Sequence, residues 1–241
     1  MHFIDRKFKS IFSLEKILKK VLNKKNPLIV DIGGNIGQSI TTYKKLSPNS
    51  IIHTIEPCNE SFELNKIRTK KFKKIKYHNF ALGNYNGNSY LNVNIENNRT
   101  GSSLLNFNKK SISIKNNFHP KENLHKNNTR KEYVKVKKSN DFFSKLKIVD
   151  YCKIDTGGSE LNILKNISKK NFHKIKTLQV ELLLDDVYMY NSQKNFLNII
   201  NILLKNNFYI YDITNVYKNL EKHRTLWIDV VFVKKNLFKK I

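Results

Sequence analysis

Ile29-Val30-Asp31-Ile32-Gly33-Gly34-Asn35-Ile36-Gly37 decides the reading of this chain. A short apolar run passes through an acidic residue into a glycine-rich turn, and Gln38–Leu46 then has a helical pattern that stops before Pro48. Glycines allow sharp turning and close approach, and a helix N-terminus offers free N–H groups. Glu56 follows 25 residues after Asp31, at the end of the next predicted strand. An acid there is placed to accept the hydroxyls of a ribose. The dinucleotide pattern G-x-G-x-x-G would need glycines where Asn35 and Gln38 stand, and no P-loop is present. Asp31 before the Gly33, Asn35, Gly37 turn instead suits a ligand with an ammonium group and no phosphate. With Glu56 on the ribose, the expected cofactor is S-adenosyl-L-methionine.

Outward from this turn the pattern alternates. Leu28–Asp31, Ile51–Glu56, Ile75–Leu82, Val149–Asp155 and Thr177–Leu182 read as strands. Helical periodicity covers Glu60–Lys70, Ser159–Ile167 and Gln193–Asn206. Phe208–Ile213 and Leu226–Val233 follow with no helix between them. Five strands alternating with helices predict an α/β fold, a mostly parallel sheet covered on both faces. The last two predict an antiparallel edge. Residues 3–24 read as an amphipathic helix, with Ile4, Phe8, Ile11, Leu14, Leu18 and Val21 at steps of three or four and lysines on the rest. We therefore expect an N-terminal helix over 1–26, and a domain over 27–241 interrupted by an Asn-rich insertion at about 84–132. Within it Tyr90–Ile95 alternates like a half-exposed strand and Lys109–Lys131 reads as a loop.

The chain has 241 residues and a formal net charge of +26. Its 40 Lys outnumber 5 Arg, and Lys, Asn and Ile together supply 101 residues. Their codons are AT-rich, so genome composition alone produces much of this bias. Readers of phosphates and bases lean on the bidentate fork of Arg. No basic stretch interleaved with aromatics stands out as an RNA-binding motif, so nucleic acid is not the expected partner. The charge leaves open a polyanion or a membrane surface met by the N-terminal helix. Two cysteines, Cys58 and Cys152, exclude a disulfide framework and a four-cysteine zinc site. No H-E-x-x-H or similar spacing supports a metal. With no apolar span and no leader pattern, the expected location is cytoplasmic, with possible contact at the inner membrane face.

An ordered set of blocks resembles the FkbM-type methyltransferase family. Asp31-Ile-Gly33-Gly-Asn35-Ile-Gly37 looks like its D-x-G-A-N-x-G signature. Glu56-Pro57 with Asn65 looks like its E-P…N segment. Phe80-Ala81-Leu82-Gly83, Gly101-Ser102-Ser103-Leu104, Lys153-Ile154-Asp155…Gly158-Ser159-Glu160, Val180-Glu181 and Asp229-Val-Val-Phe232-Val233 follow in order over about 28–234. The resemblance implies a class I Rossmann-like fold, S-adenosylmethionine as donor, and O-methylation of a sugar or other small-molecule hydroxyl. The family pattern has Glu or Gln where this chain has Gly157, so one polar contact is expected to be missing.

Ligands of open α/β sheets sit beyond the carboxyl ends of the strands. That collects Asp31, Glu56, Asn79, Asp155 and Glu181 at one edge. Asn79 is a candidate for the adenine edge. Asp155 and Glu181 are the candidate catalytic residues, because a hydroxyl acceptor is a weak nucleophile helped by a base. His53 and His78, inside strands, read as packing. A nucleic-acid methyltransferase is the alternative suggested by charge, although Asp155-Thr-Gly-Gly replaces the [DN]-P-P-[YF] expected for base amines. A non-catalytic, surface-associated protein on the same scaffold is the other.

Overall fold

A computed structural model describes residues 14–95, 97–108, 129–184, 190–191, 196–219 and 224–237. The first half of the predicted N-terminal helix and most of the predicted loop at 109–131 lie outside the described residues.

The framework is a seven-stranded sheet in the order β3-β2-β1-β7-β8-β10-β9. Its strands are β1 (Leu28–Ile32), β2 (Ile51–Ile55), β3 (Ile75–His78), β7 (Tyr151–Ile154), β8 (Thr177–Leu183), β9 (Phe208–Asn219) and β10 (Arg224–Lys234). β1 is buried along almost its whole length, as a central parallel strand covered on both faces must be. β1, β2, β3, β7 and β8 pair in parallel. β10 runs antiparallel to both β8 and β9. The antiparallel strand therefore lies one place in from the edge, and β9 forms the edge itself. β9 also runs to Asn219, six residues past the predicted end of that strand.

One face of the sheet carries the larger core. Val30, Ile32, Ile154, Leu178, Val180 and Phe232 pack there with residues of α4 (Ser139–Ser144), α5 (Glu160–Lys165), α6 (Lys169–Phe172) and α7 (Phe196–Lys205). The opposite face is covered by α1 (Leu14–Val21) and α2 (Gln38–Leu46), with Leu18, Ile40 and Tyr43 meeting Ile29 and Tyr151. Ile17 of α1 packs on Val231 and Val233 of β10. The apolar stripe of α1 is thus spent on the domain core. Among the described residues, no helix is long and apolar enough to cross a membrane.

The predicted third strand divides at Asn79. β3 stays in the large sheet, while β4 (Ala81–Gly83) joins a second sheet in the order β4-β6-β5. The Asn79 amide explains the break, donating to the Glu56 and Pro57 carbonyls at 3.1 and 3.2 Å and turning the chain over the end of β2. β5 (Gly87–Asn94) and β6 (Thr129–Lys138) are antiparallel partners across the Asn-rich region. The sequence reading missed β6 altogether. Its inner residues Val134 and Val136 are buried, and Val134 packs with Leu91, Val93 and Cys58 to close this sheet against the main domain. An ionic clasp holds it there. Arg130 pairs with Glu60 at the start of α3 (Asn59–Thr69) at 3.1 Å, and Arg99 pairs with the same carboxylate.

His53 and His78 stack 5.1 Å apart against Phe142, with their ring nitrogens 3.1 Å apart. Burial lowers the pKa of both, to about 4 for His53, so both pack as neutral rings. Cys58 and Cys152 are free and buried.

Candidate active site

A cavity of about 600 Å³ opens at the carboxyl ends of the parallel strands. It lies on the face covered by α1 and α2, and is roofed by Arg99–Ser102 and Leu104 beside the second sheet. This volume is in the range of small-molecule sites.

The β1–α2 turn forms one wall. Gly33 has φ +82° and donates its N–H to Ile55 O at 3.0 Å. A Cβ on it would fall 1.8 Å from the Asp155 carbonyl oxygen. The close approach that requires glycine is therefore to the protein's own backbone. Asn35 follows in the left-handed region, and its N–H donates to Glu56 Oε2 at 2.8 Å. The other Glu56 oxygen accepts from Cys58 N at 2.9 Å. Two backbone donors thus fix a carboxylate on the cavity wall while lone pairs remain for a ligand. Burial still outweighs them and raises the Glu56 pKa to about 7.

Asp31 sits beneath this wall. It is fully buried, and neither of its oxygens has a hydrogen-bond partner. Burial raises its pKa to about 6, against the pull of Lys153. Such an orphaned acid is costly and calls for a positive group nearby. Asn35 Oδ1 and Ser159 Oγ are likewise buried without partners at the cavity wall.

The opposite wall is a row of polar residues set by sheet register. Lys153, the register partner of buried Asp31, lies beside Gln179, and Glu181 beside Asp229, which in turn neighbours Asn215. Lys153 bonds Asp155 at 2.8 Å. Burial acts against the charge of Lys153, but Asp155 and Asp31 hold it protonated. Glu181 is pushed well up, first by burial and then by repulsion from Asp155, Asp229 and Glu160. Trp227 and Tyr217 stack 4.8 Å apart and complete this end.

The structure brings Gly33, Asn35, Glu56, Asp155 and Glu181 to one cavity. Three other candidates stand apart from its lining. Asp31 lies below it, Gly37 precedes α2 packed on Asn65 and Thr69, and Asn79 is exposed, braced on the Glu56-Pro57 backbone. Sequence reasoning passed over Lys153 and Asp229 as site residues, although both stand inside matched blocks. Asn215, Tyr217, Trp227 and Arg99 carried no such signal.

Gly157 has a local explanation. Its φ is +62°, and a Cβ there would meet Ser102 O at 2.9 Å and Tyr190 Oη at 3.0 Å. Ser103 Oγ donates to the Gly157 carbonyl and Tyr190 Oη to the Gly101 carbonyl. The roof loop and Tyr190 fill the space a longer side chain would take. We expect Gly157→Glu to cost about 3 kcal/mol from positive φ and crowding. Urea unfolding measures this, and truncating the roof contact with Tyr190→Ala should recover part of the loss.

The family model described as the Methyltransferase FkbM domain matches residues 31–210. Methyltransferase 1 of Beauveria bassiana (strain ARSEF 2860) is 28% identical over 161 residues, 64% of each chain, so the match spans just under two thirds of that relative's length. Among solved structures, precorrin-6y C5,15-methyltransferase from Geobacter metallireducens GS-15 superposes with a TM-score of 0.47 at 12% identity, covering 92% of this chain and 87% of its own. M. capricolum TrmK, solved with S-adenosyl-homocysteine, gives 0.47 at 13% identity, covering 92% and 67%. With the matched region running from Asp31 within β1 into β9, the chain belongs to the FkbM methyltransferase domain family.

Proposed function

We propose that this cavity binds S-adenosyl-L-methionine and that the protein transfers its methyl group to a hydroxyl of a sugar, glycan or other small molecule. The carrying observation is the pair of acidic walls in one cavity at the strand ends, Glu56 on one side and Asp155 with Glu181 on the other. The residues fit the cofactor. Glu56, oriented by the Asn35 and Cys58 amides, would accept the ribose hydroxyls. Asp31, buried and unpartnered, would balance positive charge above the turn. When bound, the cofactor supplies a methyl group already activated on a sulfonium.

The protein's remaining task is alignment and proton removal. Asp155, anchored by Lys153, would hold the acceptor hydroxyl. Glu181 would take its proton. Because the Glu181 pKa is raised, it is protonated on the acid side and becomes a base only as pH rises through that value. We expect kcat/KM to climb about tenfold per pH unit below the pKa, as for a single ionising base. Glu181→Gln should lose about 10²–10³ in rate and flatten this limb. Transfer of radiolabelled methyl from S-adenosylmethionine to a panel of monosaccharides and oligosaccharides tests the whole reading. Absence of cofactor binding in calorimetry would sink it and favour a non-catalytic scaffold.

A further inference from the structure

The outer face of the second sheet has a character found nowhere else among the described residues. Tyr85, Tyr90 and Tyr133 are 41%, 57% and 63% exposed, and they are the only exposed Phe, Tyr or Trp side chains there. All three belong to this small sheet or its β4–β5 turn. Tyr90 and Tyr133 stand directly opposite each other on β5 and β6, with ring centroids 5.4 Å apart. Asn88, two residues before Tyr90 on the same side of β5, is the cross-strand neighbour of Lys135. Strand periodicity puts Lys131, Tyr133, Lys135 and Lys137 on one side of β6. Lys131 Nζ lies 5.9 Å from the centre of the Tyr90 ring. The acids of this strand pair point elsewhere, since Glu132 faces α3 and accepts from Asn59 N. Asp141 is bonded to Asn86 in the β4–β5 turn.

Genome composition accounts for lysines, which are spread over the whole chain, but not for two exposed tyrosines paired across one face. The interleaving of basic and aromatic residues, missed in the linear sequence, arises from the period-two alternation of β6 and its pairing with β5. Exposed rings flanked by lysines, with no Arg fork for base edges, match the requirements of a flexible polyanion whose units have flat faces. We propose that the outer face of β5 and β6 is a docking surface for single-stranded nucleic acid, with bases against Tyr90 and Tyr133 and phosphates against Lys131 and Lys135. The inner face of the same sheet carries Leu91, whose side lines the cavity, so the strand docks outside the roof and leaves the site free. This inference is independent of the acceptor proposed above.

The test is fluorescence anisotropy with the full chain and a labelled 16-nucleotide oligo(U). We expect binding at 100 mM KCl that is at least about tenfold tighter than to the matching oligo(U)–oligo(A) duplex, since paired bases cannot stack on the tyrosines. Tyr90→Ala with Tyr133→Ala should weaken binding about tenfold or more and leave the salt slope unchanged. Because that pair also steadies the strand ribbon, Lys131→Ala with Lys135→Ala is the second probe. It should reduce the salt slope by about 1.4, for two phosphates released from a single strand. Lys19→Ala with Lys45→Ala, two exposed lysines elsewhere, should change it little. Four results would overturn the proposal: no binding, duplex or dextran sulfate binding as tightly as the single strand, tyrosine variants binding like the parent, or both lysine pairs acting alike.

Discussion

Glu56→Ala raises the Kd for S-adenosylmethionine at least about 100-fold in titration calorimetry. The carboxylate is held by Asn35 N at 2.8 Å and Cys58 N at 2.9 Å, so it meets a ribose without reorganising. Two hydrogen bonds to a charged group contribute about 1.5–3 kcal/mol each, and about 3 kcal/mol already exceeds a hundredfold. The same substitution strips two backbone N–H groups of their acceptor, so it also lowers the melting temperature. Glu56→Gln separates the effects, because its carbonyl can still accept from one of the two donors. The pH dependence has a definite sign. With its folded pKa at about 7 against an ordinary 4.5, Glu56 is neutral on the acid side and accepts less well, so cofactor affinity falls as pH drops through 7. Stability of the free protein runs the other way. The folded state holds a proton that the unfolded chain releases above about 4.5, so its stability falls from there until the group ionises near 7. Asp31, at about 6, adds to the same trend. Melting temperature should therefore decline from pH 5 to pH 8 without ligand, and decline less with it.

The half of the site nearest β1 was readable because its parts are consecutive in the chain. A buried strand, a glycine turn, a helix and one acid at the next strand end reveal themselves by local pattern alone. The other half depends on pairing between distant segments. Glu181 and Asp229 are neighbours only because β10 returns antiparallel between β8 and β9, and no local signal specifies that order. Asn215 and Tyr217 were passed over because β9 runs on through polar residues, where paired backbone rather than apolar content keeps the strand. β6 was missed for a related reason. Its buried side is only Val134 and Val136 between charged residues, too short a signal beside an Asn-rich loop. Asn79 carries a structural duty as well. It stands at a strand end where a ligand contact is expected, and its side-chain N–H groups turn the chain over the end of β2. The mostly Lys charge proved uninformative as a total. Arranged by strand pairing, Lys131 and Lys135 fall on the face that carries Tyr90 and Tyr133.

Gly33→Ala should yield little or no soluble protein, the largest loss expected of an added methyl group at any described glycine. The φ of +82° costs a non-glycine residue about 1–2 kcal/mol by itself. The steric term is larger. The new Cβ would sit 1.8 Å from Asp155 O, a backbone atom with no side-chain freedom to yield. Neither strand can move aside cheaply. Gly33 N is bonded to Ile55 O at 3.0 Å and Asp155 N to Ile32 O at 3.1 Å, so a shift of either segment opens the sheet at its centre. Together these put the destabilisation at about 4 kcal/mol or more, within reach of the whole stability of an ordinary domain. Gly34→Ala is the informative comparison. There the added Cβ meets Thr54 Oγ1 at 2.0 Å, a side-chain atom that can rotate or be removed. Gly34→Ala with Thr54→Ala should therefore regain much of what Gly34→Ala loses, while no single side-chain truncation should rescue Gly33→Ala. Soluble yield and urea midpoints distinguish the two cases. If Gly33→Ala folded with parental stability, the backbone contact between the β1 turn and Asp155 could not be what holds the two walls of the cavity together.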